Sequence, residues 1–315
     1  MSDLDAFRRL IPGVYDLPDP AYRAGAAISK HELDVVARSS PGHLVRERCD
    51  RAAGIAPEHS AATLANFSIG TALHLMVLEP VRASRLIIVR PDLPGNTTAG
   101  KASRKTAQDR ADLVGPEAVI LTATQHDEVA SWASALRDDA RLASWLDDST
   151  FQAEASLLWR DAMTGMLCRG RADGIVRPAN RARKDRPVII IDIKTATDAS
   201  PEGFGRAAAN LRYHAQGAFY ADGYEAITGD AASFVFVVVE KSTRAVATYY
   251  LDGDDIEAGR ARYQAPLLAW ATYQAALEAG EQPPTYYDPR PQRIALPAWE
   301  HKQARDLARS FRSKG

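Results

Sequence analysis

Scarcity sets the first limits on what this sequence can do. Among 315 residues there are only two cysteines, Cys49 and Cys168, far apart in the chain. That excludes a disulfide framework, a four-cysteine zinc site and a cysteine-held iron–sulfur cluster. Neither sign of charge is in excess: 39 Lys and Arg face 40 Asp and Glu, for a formal net charge of −1. No global field draws the chain to nucleic acid, so a polyanionic partner needs a local basic surface or metal ions. Long apolar runs are missing too. The longest are strand-sized, and none approaches the length of a membrane-spanning helix. The first ten residues lack the apolar core of a signal peptide, so a cytoplasmic location is the expectation. No G-x-x-x-x-G-K-[ST] sequence occurs either, which argues against a phosphate-loop NTPase.

What is present is ordinary in bulk: 46% hydrophobic and 25% charged residues, as in soluble globular proteins. The length suits one large domain or two small ones, and no linker divides it. The expectation is a single domain over 1–315: an N-terminal arm (1–26), a mainly helical part (27–150), a core (151–280) and a tail (281–315). Ser29 reads as a helix cap, and Pro80 stops a second, apolar helix. Pro94 to Arg110 has almost no apolar residues and reads as a mobile loop leading into a helix. Thr124 reads as the next cap, with Asp127 three residues on. The second half is strand-rich. "AEASLLW", "LCRGRADGIV" and "PVIIIDIKT" follow in close succession, the first two joined by a polar turn that predicts an antiparallel hairpin. A long helix from Pro201 to Ile227, two further strands and a helix from Asp255 to Glu278 complete the pattern. The tail is proline-rich and ends basic. This order predicts an α/β fold, a mixed central sheet flanked by helices.

The strand "PVIIIDIKT" raises a physical question, because it is apolar enough to be buried on both faces yet ends with Asp192 and Lys194. Buried charges cost several kcal/mol each unless they are paired or bind a metal. Residues two apart on a strand project to one face. Alone, the pair is better explained as a structural ion pair. The strand before it carries Asp173, however, followed by a glycine. If the strands pair, Asp173 and Asp192 sit side by side and need a cation between them; oxygen ligands favour Mg²⁺ or Mn²⁺. Glu154 is a candidate third carboxylate, or simply an exposed strand charge. Gly70 and His74 share a helical face, as do Gln216 and Tyr220. A glycine at 70 would let that helix approach another backbone closely and bring the imidazole to the site.

The ordered set Gly70-x-x-x-His74, Asp173, Asp192-x-Lys194 and Gln216-x-x-x-Tyr220 resembles the RecB-like branch of the PD-(D/E)XK nucleases. Six further stretches resemble the RecE-like (exodeoxyribonuclease VIII) exonucleases of phage and prophage type. They are "ISKHELDVVARSSPGHL", "FSIGTALHLMVLEP", "GMLCRGRADGIV", "IIDIKTATDASPEGF", "YHAQGAFYADG" and "LPAW". The likeness runs from about Ala27 to Trp299.

The resemblance implies the PD-(D/E)XK restriction-endonuclease-like core. It implies one or two divalent metals, Mg²⁺ or Mn²⁺, held by His74, Asp173, Asp192 and the Ile193 carbonyl, with no iron–sulfur cluster. Lys194 would hold or help deprotonate the attacking water, and Gln216 and Tyr220 would position the phosphate or end nucleotide. The activity implied is 5′-to-3′ digestion of linear double-stranded DNA, exposing a 3′ strand for recombination. The partners implied are double-stranded DNA ends, a RecT-like annealing protein, and further copies of the chain in a ring. Lys101, Arg104 and Lys105, and the tail cations Arg305, Arg309 and Arg312, are candidate phosphate contacts; a solvated surface explains them equally. An endonuclease or single-strand-specific nuclease on the same fold remains open, as does a catalytically silent DNA-binding module.

Overall fold

The computed structural model describes residues 2–55, 60–177, 187–283, 286, 287, 290, 291 and 293–312; the side chains of residues 61 and 306–312, and with them Arg309 and Arg312, lie outside the description. The helices of the first half are α1 (Asp3–Arg8), α2 (Asp19–Arg23), α3 (Lys30–Arg38), α4 (Pro41–Ala52), α5 (Ala61–Leu78), α6 (Pro80–Leu86), α7 (Thr98–Val114), α8 (Ala123–Asp138) and α9 (Ala140–Leu146). Short strands fall between them: β1 (Gly13–Asp16), β2 (Ile28–Ser29), β3 (Ile87–Arg90) and β4 (Val119–Thr122). The second half carries β5 (Gln152–Arg160), β6 (Leu167–Val176), β7 (Val188–Ala196), β8 (Ala232–Glu240) and β9 (Val246–Tyr250). Its helices are α10 (Pro201–Asn210), α11 (Tyr213–Thr228), α12 (Gly253–Glu278) and α13 (Ala298–Arg312).

The main sheet runs β1-β5-β6-β7-β8-β9, with β2 added beside β6. It is mixed. β5, β6 and β7 form an antiparallel meander, whereas β7 and β8 are parallel over their whole length, from Val188↔Ala232 to Ala196↔Glu240. Parallel neighbours need a crossover, which α10 and α11 supply. β7 and β8 are rich in Val, Ile and Phe because both of their faces are covered. One face packs on α3, α11 and α12 through residues such as Leu33, Phe219 and Leu267. The other packs on α5 and α8, where Leu73, Val129 and Leu136 meet Ile191, Ile193 and Val237. β1, inside the segment read as an arm, pairs with the edge of this sheet. A small parallel pair, β3 with β4, stands apart. Among the described residues no helix is long and apolar enough to cross a membrane.

Three local expectations are corrected. The stretch read as a mobile loop is helical from Thr98: the Thr97 hydroxyl caps the Gly100 amide, and the buried face needs only Ala107 and Ala111 against β3. Alanine, lysine, arginine and glutamine are strong helix formers, so low apolar content was a poor guide. The cap of α8 is Thr122, in a capping box with Gln125, while Thr124 donates to Asp92 instead. The long helix from Pro201 is two helices, broken at Leu211 and Arg212, where Arg212 takes a left-handed φ of 57°.

Candidate metal and active site

β6 and β7 are paired from Val176↔Ile189 to Gly174↔Ile191, and the pairing ends there. The next opposite positions are Asp173 and Asp192. Here the Ile193 amide leaves the ladder and donates to Asp173 Oδ2 at 2.6 Å. β6 also changes phase at this point. Ala172 and Ile175, three apart, belong to the same apolar core, whereas an unbroken strand would place them on opposite faces. The two aspartates therefore do not share one set of partners, as strand pairing alone predicts.

Asp192 is 3% exposed and turned to α11. Its Oδ1 accepts from Gln216 Nε2 at 2.8 Å, and its Oδ2 lies 2.5 Å from Lys194 Nζ, close enough for an ion pair though off hydrogen-bond angle. Lys194 in turn sits 4.9 Å above the Tyr213 ring. Burial alone would push the Lys194 ammonium down, but the Asp192 and Asp173 carboxylates outweigh it and hold the group above the usual lysine range. As found, Lys194 is a charged donor rather than a base. Tyr220, one turn after Gln216, packs its ring over Gly170 so closely that a Cβ there would lie 2.7 Å from Tyr220 Cε1. Burial raises its hydroxyl far above the ordinary tyrosine range, so it keeps its proton and can donate.

Asp173 faces the other way, into a cleft of about 1420 Å³ whose wall includes His74, Glu154, Arg171 and Tyr220. His74 Nδ1 is 3.4 Å from Asp173 Oδ1 and 3.9 Å from Glu154 Oε1, and its Nε2 is 3.3 Å from the Ile193 carbonyl oxygen. One ligand atom from each of His74, Glu154 and Asp173 can be chosen so that all lie within 4.8 Å of one another. Glu154 is the third residue of β5 and has a φ of 49°, rare for a residue with a side chain and costing on the order of 1–3 kcal/mol. Arg171 Nε donates to Glu154 Oε2 at 2.7 Å. Burial, opposed in part by His74 and reinforced by Asp192, raises the Asp173 carboxyl to about 6.

Gly70 plays a different part from the expected one. A Cβ there would meet nothing within 4 Å, so the glycine opens the cleft one turn before His74 instead of admitting a neighbouring backbone. Lys101, Arg104 and Lys105 lie on α7, and none lines the cleft. Arg104 donates to the Gly95 carbonyl and Lys105 pairs with Asp109 at 2.8 Å, so two of the three are engaged within the protein. The arginine beside Glu154 was missed in the sequence, although its position two residues before Asp173 on one strand is a usable signal. Tyr213 gives no such signal.

With the geometry in hand, residues 58–285 match the profile of a PDDEXK-like domain of unknown function (DUF3799). The chain belongs to this PDDEXK-like family. No curated protein matches it in sequence. A candidate exonuclease from Eubacterium rectale, known from its crystal structure, superposes with a TM-score of 0.53 over 91% of this chain and 98% of its own. At 9% identity the likeness is one of fold. The solved protein SSO0001, at a TM-score of 0.27 and 15% identity over 64% of this chain and 86% of its own, is too distant to weigh. The PDDEXK-like fold thus stands on both comparisons and on the mixed sheet itself.

PDDEXK nucleases use divalent metals, and the donor set here fits one. Two carboxylates and an imidazole converge beside a cleft, the Ile193 carbonyl faces the same imidazole, and burial raises the Asp173 carboxyl despite His74 and Lys194 nearby. Asp192 is not in that convergent group; its carboxylate belongs with Lys194 and Gln216. Mg²⁺ and Mn²⁺ both accept oxygens of this kind.

Proposed function

We propose that the protein is a divalent-metal-dependent nuclease and, more narrowly, a RecE-like exonuclease that digests one strand of linear double-stranded DNA from its 5′ end. The observation carrying the nuclease reading is a His74–Glu154–Asp173 donor set opening on a cleft, with a half-buried, charged lysine behind it. The narrower reading is supported by the ordered motifs and by the candidate exonuclease that shares the fold.

His74, Glu154 and Asp173 would hold the ion, with the Ile193 carbonyl available beside them. A divalent cation in such a site polarises the phosphodiester and makes water a better nucleophile at neutral pH. The residues do the rest. Lys194, kept charged by Asp192, donates to oxygens that gain negative charge as the bond breaks. Asp192 fixes the direction of that ammonium, and Gln216 fixes Asp192. Tyr220, which keeps its proton, lines the cleft and can donate to a phosphate oxygen. Because cations and carboxylates line the cleft in near balance, the ion supplies much of the attraction for a polyanion. On this reading a RecT-like annealing protein would receive the 3′ strand, and copies of the chain would encircle the duplex as a ring.

The test is digestion of linear duplexes labelled separately at each end, beside a covalently closed circle, with Mg²⁺ or Mn²⁺ and with chelator. Early release of a 5′ label, late release of a 3′ label and survival of the circle are expected. Cleavage of the circle as fast as the linear form overturns the exonuclease reading and leaves the metal site standing. Full activity after rigorous chelation overturns the metal mechanism.

A further inference from the structure

We infer that Arg171 is a positioning residue for the candidate metal group, holding Glu154 so that its second oxygen stays turned to His74 and Asp173. The inference rests on the reading above only in taking those three residues as ligands of a divalent cation.

Glu154 stands within β5 in a left-handed conformation, which a residue with a side chain keeps only when its surroundings over-determine it. Arg171, on the adjoining strand, supplies the determination. Its Nε takes Glu154 Oε2 at 2.7 Å and leaves Oε1 3.9 Å from His74 Nδ1. Arg171 is itself braced from the N-terminal segment. Its guanidinium carbon lies 5.6 Å over the Tyr22 ring, and its Nη1 lies 3.6 Å from Asp19. That Nη1 is buried and makes no hydrogen bond, so the guanidinium is held by stacking and charge on one side and by Glu154 on the other. Tyr22 is anchored by Arg169, which is 4% exposed and donates to the Tyr22 and Ala27 carbonyls at 2.6 and 2.8 Å. Support therefore passes from residues 19–27 through Arg171 to Glu154. The bond from Arg171 also fixes which carboxylate oxygen is free, and partners of this kind set the orientation of metal ligands.

A competing role makes the opposite prediction. If Arg171 only balanced the carboxylates, its positive charge would oppose a cation, and removing it would tighten metal binding. The sign decides.

The experiment is calorimetric titration of Mn²⁺ into DNA-free protein at pH 7.5, for the full chain and its variants Arg171→Met, Arg171→Lys and Glu154→Gln. Methionine keeps a stem to pack on Tyr22 but no donor; lysine restores one donor. Arg171→Met is expected to weaken Mn²⁺ about 10- to 100-fold, with Arg171→Lys in between. Arg171→Met combined with Glu154→Gln should be no weaker than the weaker single variant, because both remove the same ligand. Mn²⁺ binding by Arg171→Met as tight as in the wild type, or tighter, overturns the inference, and so do losses that multiply in the double variant. If Arg171→Met melts far earlier in chelator, Arg171→Lys alone carries the test: wild-type affinity in a variant with wild-type melting overturns the inference. An unmutated chain that binds no Mn²⁺ overturns both this inference and the metal reading. One that binds Mn²⁺ but cuts no DNA overturns only the nuclease reading.

Discussion

Two groups of charge lie on neighbouring strands, and their chemistry is not alike. On β7, Asp192 has Gln216 at one oxygen and Lys194 at the other, and the lysine rests over an aromatic ring. On β5 and β6, Glu154 and Asp173 face His74, and the Ile193 amide, His74 and Lys194 offset the burial of Asp173 only in part. The first group is neutralised from within the protein. In the second, burial and the neighbouring carboxylates outweigh the nearby cations, and the Asp173 carboxyl is raised. A fold that compensates one buried aspartate and leaves its neighbour wanting stores the demand for an ion at one defined place.

The largest expected break in this contrast is Asp173→Asn. DNA cleavage should fall on the order of a thousandfold or more, as when a directed charge-stabilising group is lost. The metal-free protein should nonetheless melt higher at pH 8, by up to about 3 kcal/mol, the worth of a carboxyl shifted by roughly two pH units. Melting in chelator beside turnover checks both, and a lower melting temperature would sink the account of Asp173. Lys194→Met should do the reverse to stability. It strands Asp192 without its cation and should cost about 3–5 kcal/mol with or without metal. Denaturant unfolding decides this, and a loss under 1 kcal/mol would mean that Asp192 is compensated elsewhere.

A change of pH sharpens the comparison more gently. The folded-state carboxyl of Asp173 is raised to about 6 from 3.8, so its protonated form favours the fold. Its contribution is fully present below the unfolded-state value and is lost as pH rises through about 6. Stabilisation by Mn²⁺ should accordingly grow between pH 5 and pH 7.5, and Asp173→Asn should flatten that growth. Equal metal-induced shifts in melting temperature at the two pH values would contradict it. Smaller still is Gln216→Ala, which removes one hydrogen bond to a charged group and should cost about 1.5 kcal/mol while leaving Mn²⁺ affinity unchanged in titration. The smallest effect is expected on α7. Since Arg104 and Lys105 are already engaged, neutralising Lys101, Arg104 and Lys105 together should lower the salt slope of DNA binding by about one phosphate contact or less. A drop near three would make α7 a DNA-binding face.

The mixed sheet was legible because strand runs such as those of β7 and β8 are unambiguous, and the flanking helices because residues such as Ser29 and Pro80 mark where one begins or stops. Spacing also singled out His74, Asp173, Asp192 and Lys194. How they divide was not legible. The division depends on a phase change in β6 and a left-handed glutamate in β5, and no residue type announces either: Glu154 is neither glycine nor asparagine. The break between α10 and α11 was hidden for the same reason, having neither glycine nor proline at Leu211 and Arg212. α7 was overlooked because alanines bury a face without looking apolar. Gly70 was read for close packing when it faces open space, a distinction that only the neighbours of a residue can make.

The place where β6 and β7 part has a spectroscopic consequence. Ile193 gives its amide to Asp173 and turns its carbonyl to His74, so one buried residue of the sheet touches two of the three candidate ligands through its backbone. Its amide proton and carbonyl carbon should therefore shift in nuclear magnetic resonance spectra when Asp173 gains a proton or shares its oxygens with an ion. Ile191, two residues earlier and still paired in the ladder, provides the internal reference. Isotope labelling at isoleucine would make the strand its own reporter of occupancy, readable without DNA or an activity assay.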